Sequence, residues 1–354
     1  MSAVNAIPLG PESHLAGPVM SGRRKRARRR ASVTVVLAIV VAAVFVVSLM
    51  IGGTFYPIDE VLAVIFGQTV PGASFTVGEL RLPRNLLAIL SGFAFGVAGV
   101  TFQTMLRNPL ASPDIIGISL GGSAAAVFAI VVLSLDETMT SLFAVVGAVI
   151  SAGAIYLLAN RSGFAGTRLI LIGIGVAAML DSTITYVLSR AAAWDMQVAM
   201  RWLTGSLNGA TWAEVVPLAV VAACLTPLLL AQGRGLRMLQ LGDDQASALG
   251  VRVPRTRILL ILAAVVLLAV ATAATGPIAF VAFMAGPIAA RLVGPGGSLL
   301  LPSGLVGALL VLVADLAGQF AFGARYPVGV ITGILGAPFL LYLLVRINRS
   351  GGSL

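Results

Sequence analysis

Of 354 residues, 58% are hydrophobic and only 10% charged, and the mean hydropathy is +1.03, so the chain cannot clothe itself in the polar surface of a water-soluble globule. Its formal net charge is +10, but seven of the 23 basic residues crowd into Arg23–Arg30 beside the first apolar run, which argues against a nucleic-acid partner. Apolar runs about twice the ten residues of a barrel strand, without alternation, exclude a transmembrane β-barrel and leave helices as the default element.

Residues 1–31 form a basic opening segment rich in Pro, Gly and Ser, with no apolar period, and are expected to be a disordered cytoplasmic tail. His14, the only histidine, lies there and has no ligand set around it. The cluster Arg23–Arg30 abuts the first apolar run as a positive-inside anchor does, and it would also suit anionic headgroups. That run is too long for a signal-peptide core and lacks a small-residue exit site. Runs near the length that crosses a hydrocarbon core then fall at about 32–51, 85–104, 115–133, 140–158, 169–188, 213–231, 256–275, 277–294, 299–320 and 328–346. Ten spans make residues 32–346 one transmembrane domain, followed by a short cytoplasmic tail, 347–354. With the N-terminus inside, eighteen basic residues fall on the cytoplasmic side and five outside: Arg81, Arg84, Arg190, Arg201 and Arg325. Both termini are then cytoplasmic.

The second span carries Gly92, Gly96 and Gly99 at spacings of four and three, a bare stripe where another helix backbone can approach. It closes in a polar turn, Arg107-Asn108-Pro109. Trp194–Trp212 is expected to form a short interfacial helix with its tryptophans at headgroup depth. In the longest cytoplasmic loop, 232–257, the Asp243-Asp244 carboxylates suit a helix N-terminus, Ala246, Ser247 and Leu249 can continue the helix, and Gly250 can stop it. Only Gly276-Pro277 separates spans seven and eight, so a short or broken helix is expected there. Arg252-Val253-Pro254-Arg255 before span seven echoes Arg81-Leu82-Pro83-Arg84 before span two from the opposite side, as an inverted duplication would. Cys224, the single cysteine, reads as a small buried residue. Asp181 and Asp315 interrupt apolar spans at a cost that makes a proton relay the rival reading, with Ser182, Thr183 and Thr185 as candidate partners of Asp181. The one lysine, Lys25, lies in no Gly-x-x-x-x-Gly-Lys loop, and no metal-ligand cluster or nucleophile with a base is present. The chain is therefore not expected to be an enzyme, and ATP, if it drives the process, must be hydrolysed by another polypeptide.

Four motifs appear in order: the Arg81–Arg84 run with Gln103-x-x-x-Arg107-Asn108-Pro109-Leu110-Ala111-x-Pro113-x-x-x-Gly117; Leu241-Gly242-Asp243-Asp244 to Leu249-Gly250-Val251; Gly276-Pro277-Ile278-Ala279-Phe280-Val281; and Pro327-Val328-Gly329-Val330-Ile331-Thr332 to Gly336-Ala337-Pro338-Phe339. Together they resemble the FecCD/BtuC-like permease family of ABC importers for iron-siderophores, haem and vitamin B12. The resemblance implies an all-α polytopic permease fold of about ten helices in the cytoplasmic membrane. It further implies that residues 241–251 dock on an ATPase subunit, and that Arg81 and Arg84 face acidic residues of an extracellular substrate-binding protein. Where the family commonly has Asp-x-x-x-Arg in span nine, this chain has Asp315 and Gln319, and Arg325 is the candidate substitute. Spans five and ten should line the path, between two permease subunits. Ala285-Gly286-Pro287-Ile288-Ala289-Ala290-Arg291 and Ser112-Pro113-Asp114-Ile115-Ile116-Gly117 look most like ferric-siderophore members that work as half of a heterodimer; haem or cobalamin is the alternative. No cofactor is implied for this chain, since ATP is used by two partner ATPases.

Overall fold

With no water in a hydrocarbon core to receive backbone amides, a chain of this composition satisfies them within helices. The computed structural model describes residues 13–114, 116–161, 165–294 and 296–349, and every extended regular element among them is helical. In chain order these are α1 (Ser13–Met50), α2 (Ile58–Ile65), and a π-helical stretch, Ser74–Arg81, that runs into α3 (Leu82–Met105). There follow α4 (Ile118–Val131), α5 (Glu137–Ala159), α6 (Gly166–Ser189), α7 (Ala193–Leu203) and α8 (Trp212–Ala231). The remainder are α9 (Gly233–Leu239), α10 (Asp243–Ala248), α11 (Val253–Thr275), α12 (Val281–Val293), α13 (Leu300–Phe320) and α14 (Val328–Arg349).

All ten expected spans are helices, and among the described residues eight are long and apolar enough to cross a membrane. The other two, α4 with 14 residues and α12 with 13, are shortened because each is entered through a loop. The loop before α4 ends at Gly117, at φ 87°, and the loop before α12 at Phe280, at φ 63°.

The α3 helix forms the centre, buried along most of its length against α13, α11, α12 and α8. The glycine stripe does what its spacing suggests. A Cβ at Gly92 or Gly96 would overlap the carbonyls of Gly307 or Ser303 on α13, and one at Gly99 the carbonyl of Ala282 on α12. The pairings 92 with 307 and 96 with 303 run α3 and α13 antiparallel. By contrast α6 is the span least covered by the rest of the chain, with Leu171 69% and Met179 71% exposed.

Three expectations are corrected. Residues 13–31 are helical rather than disordered, because α1 starts at Ser13 and carries the Arg-rich cluster as N-terminal turns; arginine and alanine are good helix formers once a span nucleates the helix. Residues 1–12 lie outside the described residues. The C-terminal tail likewise starts late, since α14 runs to Arg349, and residues 350–354 are outside the described ones. Cys224 is exposed on α8, not buried, because that span turns only part of its surface inward.

Candidate functional site

One end of the bundle carries the 232–257 loop, folded into α9 and α10. Gly242, at φ 107°, turns the chain into α10 and Gly250, at φ 85°, turns it out; both angles are costly for any residue with a Cβ. Ala246 is fully buried and seats α10 on the core, while Leu241 and Leu249 stand 53% and 57% exposed, with Asp244 and Ser247 also on the open side. Asp243 turns inward. Its two carboxylate oxygens accept from Arg257 Nη2 on α11 at 2.8 and 2.9 Å, so the acidic first turn is tied to a membrane-spanning helix.

The Arg107-Asn108-Pro109 turn lies beside this segment. Arg107, exposed, adopts φ 54°, and its guanidinium reaches the bare face of Gly242. Gln103 Nε2 donates to Pro109 O at 3.1 Å and to Phe283 O at 2.9 Å, stitching the end of α3 to the turn and to α12; Gly286 leaves room for that amide. Asn108 Oδ1 accepts from Leu110 N at 2.9 Å. These residues, with Gln240 and Pro287, line an open cleft of about 360 Å³. Farther along the turn, Gly117 packs on Gly173 and Ala177 of α6, and Asp114 accepts from Ser119 Oγ at 2.5 Å. Burial pushes the Asp114 carboxyl up from its ordinary value, against the pull of the Ser119 and Ser112 hydroxyls.

At the other end, the two RLPR arginines are already engaged. Arg81 Nη1 donates to Leu49 O at 2.8 Å and Met50 O at 3.1 Å, Nη2 donates to Thr54 O at 2.6 Å, and the guanidinium lies 5.1 Å from the Tyr56 ring centre. Arg84 makes a two-pronged pair with Asp315, 2.8 Å from Nε and 2.7 Å from Nη2, and donates through Nη1 to Asn208 Oδ1 at 2.8 Å. Gln319 Nε2 completes the cage around Asp315 at 2.8 Å, in the position where the family commonly has arginine. Arg325 is exposed. The sequence flagged Asp315 and Arg84 separately and missed their pairing, for which it holds no local signal. Asp181 is exposed on α6; the hydroxyls of Ser182, Thr183 and Thr185 bond to the carbonyls of Ala178, Met179 and Asp181 rather than to its carboxylate.

The remaining motif glycines bring three backbones together at this same end. A Cβ at Gly276 would strike Trp202 O, and one at Gly329 would strike Thr204 O. Ser206 N donates to Thr275 O at 2.8 Å, and Gly329 N to Gly205 O at 3.1 Å. The end of α7, the break at Gly276-Pro277 and the start of α14 behind Pro327 therefore share one contact. A cavity of about 380 Å³ lies beside it, lined by Glu137, Arg201, Asn208, Glu214 and Thr275 among others. Among the described residues no group of three or more His, Cys, Asp or Glu is placed to hold a metal ion.

The sequence matches the FecCD transport family over residues 39–346. It is 41% identical over 325 residues to the ferric enterobactin transport system permease protein FepG of Escherichia coli, covering 91% of this chain and 98% of that one. It is also 41% identical over 337 residues to the achromobactin transport system permease protein CbrC of Dickeya dadantii, covering 93% and 97%. The fold matches a solved metal-chelate-type ABC transporter in an inward-facing conformation with a TM-score of 0.80 and 25% identity, over 89% of this chain and 99% of that one.

Proposed function

The chain belongs to the FecCD transport family, and from that premise we propose that it is the membrane-spanning permease subunit of an ABC importer that carries a ferric siderophore inward across the cytoplasmic membrane. The observation that carries the reading is the 241–251 segment. It is seated by Ala246, tied by Asp243 and open at Leu241 and Leu249, in a chain whose one lysine lies in no phosphate-binding loop. One of two cytoplasmic ATPase subunits docks there, and the pair uses the ATP; this chain binds no cofactor. A second, non-identical permease subunit covers the open faces of α6 and α14, and the substrate passes between them. Both termini lie in the cytoplasm.

On the outer face an extracellular binding protein docks through acidic residues on Arg81, Arg84 and Arg325. Because Arg84 is neutralised by Asp315, a docking carboxylate has to compete with a buried one, and Arg325 is the more open cation. Such contacts fix register and on-rate more than they add affinity. The Arg84 pair also weighs against the proton-relay rival, since both oxygens of Asp315 are already occupied by two guanidinium nitrogens and an amide.

Gly242→Arg and Leu249→Glu test the coupling assignment in the reconstituted complex. Membrane insertion should persist, while ATP-driven uptake and substrate-stimulated hydrolysis are lost. Undiminished stimulated hydrolysis would refute it. Growth of a deletion strain on single ferric siderophores, haem or cobalamin separates the substrate classes, and rescue confined to haem or cobalamin would replace the siderophore assignment.

A further inference from the structure

The α10 helix has six residues, and Ala246 is its one buried side chain, so packing alone gives it a small anchor. The ion pair adds a larger one. Arg257 is 7% exposed at its side chain and Asp243 43%, so drawing α10 away from α11 would take the Asp243 carboxylate off a buried guanidinium, and that cost couples the movement of the two helices. The α11 helix then spans the bundle, about 34 Å at 1.5 Å per residue. Its far end meets Ser206 through Thr275 O, and Gly205 in turn accepts from Gly329 at the start of α14.

We propose that the Arg257–Asp243 ion pair is the tie through which movement of the 241–251 segment reaches α11 and, through Gly205, α14. Arg257 is thus a positioning residue for ATP-driven transport. This rests on the permease reading above, and it adds a specific bond whose loss uncouples ATPase from pore while leaving the docking surface of α10 in place.

The single native cysteine makes the test direct. In a Cys224→Ser background, Ile334→Cys, at a 64% exposed position of α14, is labelled with a maleimide in the whole complex, nucleotide-free and after ATP–vanadate trapping. With Arg257 intact, the labelling rate should change by about fivefold or more, the low end of coupling between linked sites. In Arg257→Met, compared at matched trapped nucleotide, the change should disappear. The exchange Asp243→Arg with Arg257→Asp should recover at least half of it, and Arg257→Lys, which keeps the charge but not the fork, should fall between. A full nucleotide response in Arg257→Met overturns the proposal. So does an exchange no better than the single variant, or failure of both to assemble, which would make the bond merely structural. No response with Arg257 intact would instead overturn the permease reading, and the proposal with it.

Discussion

Asp315 is 1% exposed inside a membrane-spanning helix, and it is tolerated there because Arg84 and Gln319 supply three donors to its two oxygens. Asp315→Asn removes the charge and sets an amide NH2 against one prong of the Arg84 fork, so it should destabilise the protein by about 3–5 kcal/mol, the usual cost of breaking a buried pair by one partner. Gln319→Ala removes a single neutral donor and should cost about 1 kcal/mol. Thermal unfolding of the detergent-purified chain measures both; equal shifts would mean that Gln319 shares the load equally. The sequence made each of these residues visible for a different reason, Asp315 as a costly carboxylate and Arg84 as a docking cation. It could not join them, because the pair closes over 231 residues and depends on α3 and α13 packing antiparallel. Asp243 and Arg257, 14 residues apart, stayed hidden for a lesser reason: a carboxylate at a helix N-terminus already had a sufficient local explanation in the helix dipole.

The legible part of the helices was the part that depends on solvent. Apolar length located ten spans, and the glycine spacing of α3 identified the face on which α13 and α12 approach, because both signals come from residues that lipid or a neighbouring backbone selects directly. The break at Gly276-Pro277 signalled the short α12, but the start of α1, the shortness of α4 and the exposure of Cys224 were not legible, because they depend on which neighbours a helix finds. Close approach makes a sharp contrast testable. Gly99→Ala would force a methyl group into the Ala282 carbonyl, with backbone on both sides and no flexible side chain to yield, whereas Gly153 on α5 has nothing within 4 Å of a Cβ. Gly99→Ala should cost about 1–3 kcal/mol or more through overpacking and sharply lower the amount of folded protein in the membrane. Gly153→Ala should be neutral or slightly stabilising, by up to about 1 kcal/mol of helix propensity. Quantified membrane levels and thermal unfolding compare them; similar losses at both sites would contradict the packing assigned to α3.

Across the whole molecule the two ends differ in the company their arginines keep. Arg29 donates to the carbonyl of Leu292 in the last turn of α12 and Arg30 to that of Gly296 in the loop before α13, Arg107 lies against Gly242 and Arg257 holds Asp243, all at the end that carries α10. The opposite end mixes Arg84 and Arg201 with Asp315, Glu137 and Glu214. Because α11 runs from the one end to the other, the ends cannot exchange residues, and orientation reduces to a single choice of which faces the cytoplasm. The permease reading proposed above, together with the excess of basic residues, predicts that the α10 end faces the cytoplasm. That choice has a chemical consequence, since a segment that takes its power from an ATPase is useful only on the side where ATP is found. In a Cys224→Ser background, Ser247→Cys on α10 should react with an impermeant maleimide only in inside-out vesicles, and Ala192→Cys, before α7, only in intact cells. Both positions are exposed, so a failure to label at either face would itself be informative: it would mean that a partner covers the site, and stripping the ATPase should then restore Ser247→Cys alone. Reversed labelling would place the 241–251 segment outside the cell, away from nucleotide, and no arrangement of α10, α11 and α14 could then turn ATP hydrolysis into movement of the pore.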